Sequence, residues 1–179
     1  IIAVDVDADT KLDLVMADGQ ETGMTLFFGD GAGQFGFGTP VPTGSPGFSV
    51  TAGDVDLDGF LDLVTANAGT DTLSLVRGLG NRTFDMPLIL DTGPVSTPRL
   101  ALLEDIDGDG DVDIVSCNRT SEEVMFFNNQ EKMSGGLLLR RGDVDGDGLD
   151  DLLVGAYYND DGAEHAGKAY LVLGASLGS

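Results

Sequence analysis

The stretch DIDGDGDVDIV, Asp105 to Val115, places five aspartates and two glycines in nine residues and then turns apolar. Carboxylates this crowded repel one another unless a positive charge sits among them. The device recurs: DVDADTKLDLV runs from Asp5 to Val15, DVDLDGFLDLV from Asp54 to Val64 and DVDGDGLDDLLV from Asp143 to Val154. Counted from the first aspartate of each loop, acids stand at positions 1, 3, 5 and 9. These are Asp5, Asp7, Asp9 and Asp13; Asp54, Asp56, Asp58 and Asp62; Asp105, Asp107, Asp109 and Asp113; and Asp143, Asp145, Asp147 and Asp151.

Working outward, each loop is followed by the same series of elements. An apolar run comes first (LDLVMAD, LDLVTAN, VDIVSCN, DDLLVGA), then a polar turn and a second run (MTLFFG, TLSLVRG, EVMFFNN, AYLVLG). In the first two units a Gly-rich turn leads to a third run, PVPTG or PLILDTG, and a fourth run (FSVTAGD, LALLED, LLLRRGD) enters the next acidic loop. Four short strands per repeat of roughly fifty residues, separated by turn signals, form the pattern of propeller blades. No long segment keeps a helical period, and the near-continuous apolar runs suit strands buried on both faces. The expected fold is therefore all-β: a propeller segment of about four blades, each of up to four antiparallel strands. One partial propeller domain is expected over 1–179, with units at approximately 1–46, 47–97, 98–135 and 136–179. The third unit is short by about one strand and its turn, so it has lost its outer strand or the chain omits a segment.

The chain has 179 residues, 41% of them hydrophobic, enough for a sizeable core. A formal net charge of -22, with only 9 Lys+Arg against 31 Asp+Glu, disfavours nucleic acid and anionic membrane surfaces and favours a cation. No apolar run is long enough to span a bilayer, and the opening IIAVDVD lacks the basic and apolar regions of a signal peptide. The single cysteine, Cys117, excludes an intrachain disulfide and reads as a buried strand residue.

Alternation at positions 1, 3 and 5 lets three carboxylates converge while Val6, Val55, Ile106 and Val144 turn toward the core. A cluster of hard oxygens suits calcium, which takes six to eight oxygen ligands; zinc would call for His or Cys, and magnesium keeps several waters. The seventh residue, Lys11, Phe60, Asp111 or Leu149, is expected to give a backbone carbonyl, which frees its side chain to vary. Gly59, Gly110 and Gly148 at position 6 supply the left-handed turn, and Thr10 breaks that pattern in the first loop. About four calcium ions are expected, one per loop, with the loop at Asp5 the weakest. An EF-hand shares the early spacing but needs an acid at position 12 between helices, and here that position holds Met16, Thr65, Ser116 and Val154.

Loop, strand and turn recurring in this order resemble the FG-GAP and VCBS repeats of integrin-alpha-type β-propellers. The fourth unit, with GAYY where that family often has Gly-Ala-Pro, looks most like the integrin-type repeat, and the first three look more like VCBS units. The resemblance implies a ring of radially packed four-stranded blades, calcium in the loop between a blade's first two strands, and an extracellular or cell-surface adhesion role. Four units are fewer than the seven blades usual for the family.

Other motifs carry less. GAGQFG, Gly31 to Gly36, matches a dinucleotide fingerprint formally, but FGTPVPTGSP after it cannot open a helix, so it reads as a hairpin. In RGD, Arg141 to Asp143, the aspartate is the first calcium ligand of its loop. The NRT sequons at Asn81 and Asn118 fall in expected interstrand turns and are candidates for glycosylation. His165 is the sole histidine and lies in a Gly-rich turn, which gives no basis for an enzyme. The expected function is a calcium-binding extracellular module with a structural or adhesive role, recognising protein or glycan. The alternative is a lectin-like accessory propeller of a larger secreted enzyme, with Tyr157, Tyr158, Asn159 and Asp160 as its one aromatic and polar cluster. The opening IIAVDVD and the final AYLVLGA run leave both terminal blades incomplete, so the segment is expected to continue into further blades of its parent chain or to pack against another copy. Expressed alone, it is expected to oligomerise.

Overall fold

The computed structural model describes residues 1–19, 23–108 and 110–129, together with the backbone of strands 139–141, 152–156 and 168–172. Among the described residues there is no helix. Strands β1 (Ile2–Val4), β2 (Asp13–Asp18), β3 (Gly23–Phe27) and β4 (Thr39–Pro42) form one antiparallel sheet in chain order. Strands β5 (Ser49–Gly53), β6 (Asp62–Asn67), β7 (Thr72–Val76) and β8 (Leu88–Asp91) repeat that arrangement. These are the propeller-like blades expected from the repeats.

The third sheet starts in the same way with β9 (Pro98–Glu104), β10 (Asp113–Asn118) and β11 (Glu123–Asn129). β12 (Leu139–Arg141) then pairs with the edge of β11 that corresponds to the place of β4 and β8 in their sheets. β13 (Leu152–Ala156) pairs with the start of the same edge and carries β14 (Lys168–Val172), so the third sheet has six strands.

Side chains on neighbouring residues of a strand point to opposite faces, and both faces of the middle blade are covered. Leu63 and Val76, paired in register, pack with Val6, Val15, Met24, Leu26 and Val41 of the first blade. Val64 and Leu75, the next pair, pack with Ala101, Ile114, Met125 and Phe127 of the third. Every residue of β6 is accordingly buried, which explains its unbroken apolar run. Each fully buried leucine contributes roughly 2 kcal/mol, so these two interfaces hold the blades side by side. The outer strands β4 and β8 bury one residue each, Val41 and Leu90.

GAGQFG is a hairpin turn. Gly29 bridges Phe35 across it, the Asp30 carboxylate accepts the N–H groups of Ala32 and Gln34, and Gly31 and Gly33 are left-handed. Cys117 lies in β10 but is half-buried, a partial correction to its expected burial; desolvation still pushes its thiol pKa up.

Candidate metal centre

Each of the three described acidic loops links the first two strands of its blade: residues 5–12, 54–61 and 105–112. Their folding is written in side chain to backbone hydrogen bonds. The position 1 carboxylate spans the turn, Asp5 accepting from the N–H of Asp9 and Thr10, Asp54 from Asp58 and Gly59, and Asp105 from Gly108 and Gly110. Asp7 and Asp56 at position 3 accept from the N–H of position 5, and Asp9 and Asp58 from that of position 7. These bonds turn the loop around its own acids and hold carboxylates close together in spite of their charge.

Oxygens of Asp5, Asp7 and Asp13 lie within 4.8 Å of one another, as do those of Asp54, Asp56 and Asp58, and those of Asp105, Asp107 and Asp113. The structure thus gathers positions 1, 3 and 9 in the first and third loops and positions 1, 3 and 5 in the second. Asp109 and the whole fourth loop, Asp143, Asp145, Asp147, Leu149 and Asp151, lie outside the described residues, as do Val144, His165 and the Tyr157–Asp160 cluster. All donors in the three clusters are carboxylate oxygens, and hard oxygen sets of this kind fit calcium. At position 7 the side chains differ as expected: Lys11 pairs with Asp9 at 2.7 Å, Phe60 is exposed and Asp111 is half-buried.

The position 9 aspartates have a second task that the spacing did not reveal. Asp13, Asp62 and Asp113 are buried, and each accepts two backbone N–H groups: one from position 2 of its own loop and one from the residue sixteen further on. The near bonds come from Val6, Val55 and Ile106 at 2.8–3.0 Å. The far bonds come from Gly29, Gly78 and Asn129, each at 2.8 Å, at or just beyond the end of the third strand. One carboxylate therefore ties loop, second strand and third strand together. Glycine is required at two of these far positions, because a Cβ would meet the Leu12 carbonyl at 2.1 Å from Gly29 and the Leu61 carbonyl at 2.3 Å from Gly78. Burial pushes the Asp62 carboxyl up to about 6, with the hydrogen bonds from Gly78 and Val55 opposing the shift. A carboxylate offers about four lone-pair sites, so two accepted bonds leave capacity for a cation.

Two left-handed residues, not one, shape each turn. Position 6 is Thr10, Gly59 or Gly110, with φ of 71°, 92° and 93°, and position 4 is Ala8, Leu57 or Gly108, with φ of 60°, 56° and 80°. Glycine at Gly108 and Gly146 was the sequence signal for the second of these. The first loop has a side chain at both positions and the third at neither, and each such residue costs about 1 kcal/mol. Thr10→Gly should accordingly stabilise the protein by about 1 kcal/mol, measured by urea denaturation, and should leave the Asp5 hydrogen bonds in place. A loss of stability would show that the hydroxyl or the branched carbon has a favourable role there.

Val6 and Val55 are buried as expected, but Ile106 is 40% exposed. The reason is positional: Val6 is covered by the second blade and Val55 by the third, while no described residue stands over Ile106 in the same way. Asn81 lies exposed in the β7–β8 hairpin, as anticipated for a sequon. Asn118 is a correction. It ends β10 only 5% exposed, with its Oδ1 accepting from Ser116 and its amide nitrogen enclosed, so this sequon is not presented on an open turn.

The repeat register and the blade geometry agree with comparison to known families. Residues 5–65 and 54–116 match the FG-GAP-like repeat, and residues 141–172 match the FG-GAP repeat. The chain belongs to the FG-GAP-like repeat family. Each FG-GAP-like match starts on the first aspartate of one loop and runs through the next loop into the strand after it. The matches support FG-GAP repeats over residues 5–116 and 141–172 and do not separate out a VCBS type. Neither a search of curated proteins nor one of solved structures returned a match. Among the described residues no helix is long and apolar enough to cross a membrane.

Proposed function

We propose that this FG-GAP segment is a calcium-binding module whose ions stiffen the inter-strand loops of a propeller that serves adhesion or recognition outside the cell. The observation that supports calcium is the threefold one: three loops at the same place in three blades each bring three aspartate oxygens within 4.8 Å of one another. Repulsion among them is costly in a protein of net charge -22, and a divalent cation converts it to attraction. The position 1, 3, 5 and 9 aspartates would supply the ligands, with the carbonyls of Lys11, Phe60 and Asp111 completing the shell. By sequence the fourth loop, with the Leu149 carbonyl, would make a fourth site.

No role beyond binding is assigned to the ion: it would be structural, and the module is not proposed to be an enzyme. Recognition of a protein or glycan would fall to the blade surfaces, and further blades of the parent chain or another copy would cover the outward blade faces. An extracellular setting agrees with this chemistry, since sites built from open aspartate loops suit ambient calcium at the millimolar level.

Isothermal titration of the full chain should show calcium uptake with dissociation constants of roughly 0.1 to 1 mM and weaker uptake of magnesium. Absence of calcium-dependent heat at millimolar concentration, with the protein folded by circular dichroism, would sink the proposal.

A further inference from the structure

The first acidic loop is met by two cations from within the protein, Lys11 of the loop itself and Arg82 of the second blade. Arg82, in the β7–β8 hairpin of the second blade, reaches across the blade interface and donates from Nε to Asp7 Oδ2. Its Nη2 lies 3.5 Å from Asp9 Oδ2, and Lys11 Nζ takes the same Asp9 oxygen at 2.7 Å. The guanidinium is also held 4.3 Å from the centre of the Phe28 ring of the first blade. Under this cover the Asp7 side chain is only 4% exposed.

The backbone that presents Arg82 is unusual. Gly80, Asn81 and Arg82 are consecutive left-handed residues, with φ of 72°, 49° and 64°. Bridges Gly29 to Phe35 and Gly78 to Phe84 align the two hairpins, and the counterpart of Arg82 in the first is Gly33, with φ of 88°. An arginine therefore occupies a conformation that favours glycine, and the observable return for that strain is its set of contacts with Asp7, Asp9 and Phe28.

We infer that Arg82 is a tethered counter-cation of the first acidic loop: it neutralises Asp7 and Asp9, covers the approach to them, and competes with calcium for that loop. The inference rests on the calcium reading above. Filling the loop displaces Arg82, so calcium uptake at this one site and the arginine contact between the first two blades exclude each other. The second loop has a weaker version, Arg77 Nη1 lying 3.6 Å from Asp56 Oδ2 while its other nitrogen pairs with Asp85.

The test is a calcium titration of the full chain followed by ¹⁵N NMR, reading backbone amides of Asp7–Asp13 for the first loop and Asp54–Asp62 for the second. Arg82→Gln should lower the first-loop midpoint by about fivefold to thirtyfold, the equivalent of two exposed charge contacts and one ring contact removed. The second-loop midpoint should stay within about twofold. Arg82→Gly, which matches Gly33 and relieves the left-handed strain, should tighten the first loop similarly and guards against a folding defect in the glutamine variant. In the wild-type protein the Arg82 Nε–H resonance should move as the first loop fills. A first-loop midpoint unchanged in both variants, with the second loop still binding, would overturn the inference and leave the calcium reading intact. Amides of neither loop moving in any of the proteins would overturn both.

Discussion

Replacing Asp62 with alanine should destabilise the calcium-free protein by about 4 kcal/mol. Its carboxylate is fully buried and accepts the N–H of Val55 at 2.9 Å and that of Gly78 at 2.8 Å. Truncation leaves two enclosed N–H donors without a partner, each costing roughly 1 to 3 kcal/mol, and no water replaces the acceptor without opening the blade. Asp62→Asn keeps one acceptor and should cost about half as much. Asp58→Asn is the control: Asp58 is exposed, its bond to the Phe60 N–H is readily replaced by water, and the calcium-free protein should lose less than about 1 kcal/mol. Urea denaturation in chelator separates these cases. Equal losses for Asp58→Asn and Asp62→Ala would refute the division of labour between ligand and clamp.

The same residue gives a pH signature with a definite sign. A carboxyl whose value rises from 3.8 to about 6 on folding contributes stability that is fully present below pH 3.8 and lost as pH rises through 6. In chelator, the penalty of Asp62→Ala should therefore be larger at pH 5 than at pH 7.5, because the wild-type protein is the more stable at the lower pH. Net charge pushes the wild type and the variant in the same direction, so their difference isolates Asp62. A penalty that grows toward pH 7.5 would show that the two N–H donors outweigh burial and hold the carboxylate ionised.

Much of the fold and the candidate site was legible because a repeat tests its own reading. The 1, 3, 5, 9 spacing marked the loops between first and second strands, and runs such as LDLVTAN announced a strand covered on both faces. The clamp role of position 9 was hidden because its partner is a backbone N–H sixteen residues away, and a backbone group has no letter. Gly29 and Gly78 were its indirect trace, blurred in the third unit where Asn129 stands instead. Arg82 was illegible for a different reason: its partner is in another blade, and only the register of the two hairpins shows that it replaces a glycine. The Asn118 sequon was misjudged although the repeat held the answer. Asn118 aligns with Asn67, whose amide donates to Ser74 at 2.7 Å inside the second blade while Thr65 donates to its Oδ1, as Ser116 does to that of Asn118. An asparagine ending the second strand is an internal polar tie, and a sequon there is coincident with structure.

Chelating calcium should lower the melting temperature by roughly 8 to 16 °C, the second large effect to follow from these loops. A ligand held tenfold above its dissociation constant stabilises by about 1.4 kcal/mol per site, so the three described loops together account for about 4 kcal/mol. For a chain of this size each kcal/mol corresponds to about 2 to 4 °C. The contributions add because the loops belong to separate blades and share no ligand. Two controls separate site binding from general screening of the negative charge. Sodium chloride at matched ionic strength should recover only a small part of the shift, since screening acts on exposed charges, whereas the ion would sit among carboxylates within 4.8 Å of one another. Asp58→Asn should then remove the share of one loop, about 3 to 6 °C of the calcium-dependent shift, while barely changing the melting temperature in chelator. A melting temperature indifferent to chelator, or restored in full by sodium chloride, would mean that the loops are held by their hydrogen bonds to backbone alone and that calcium has no part in the fold.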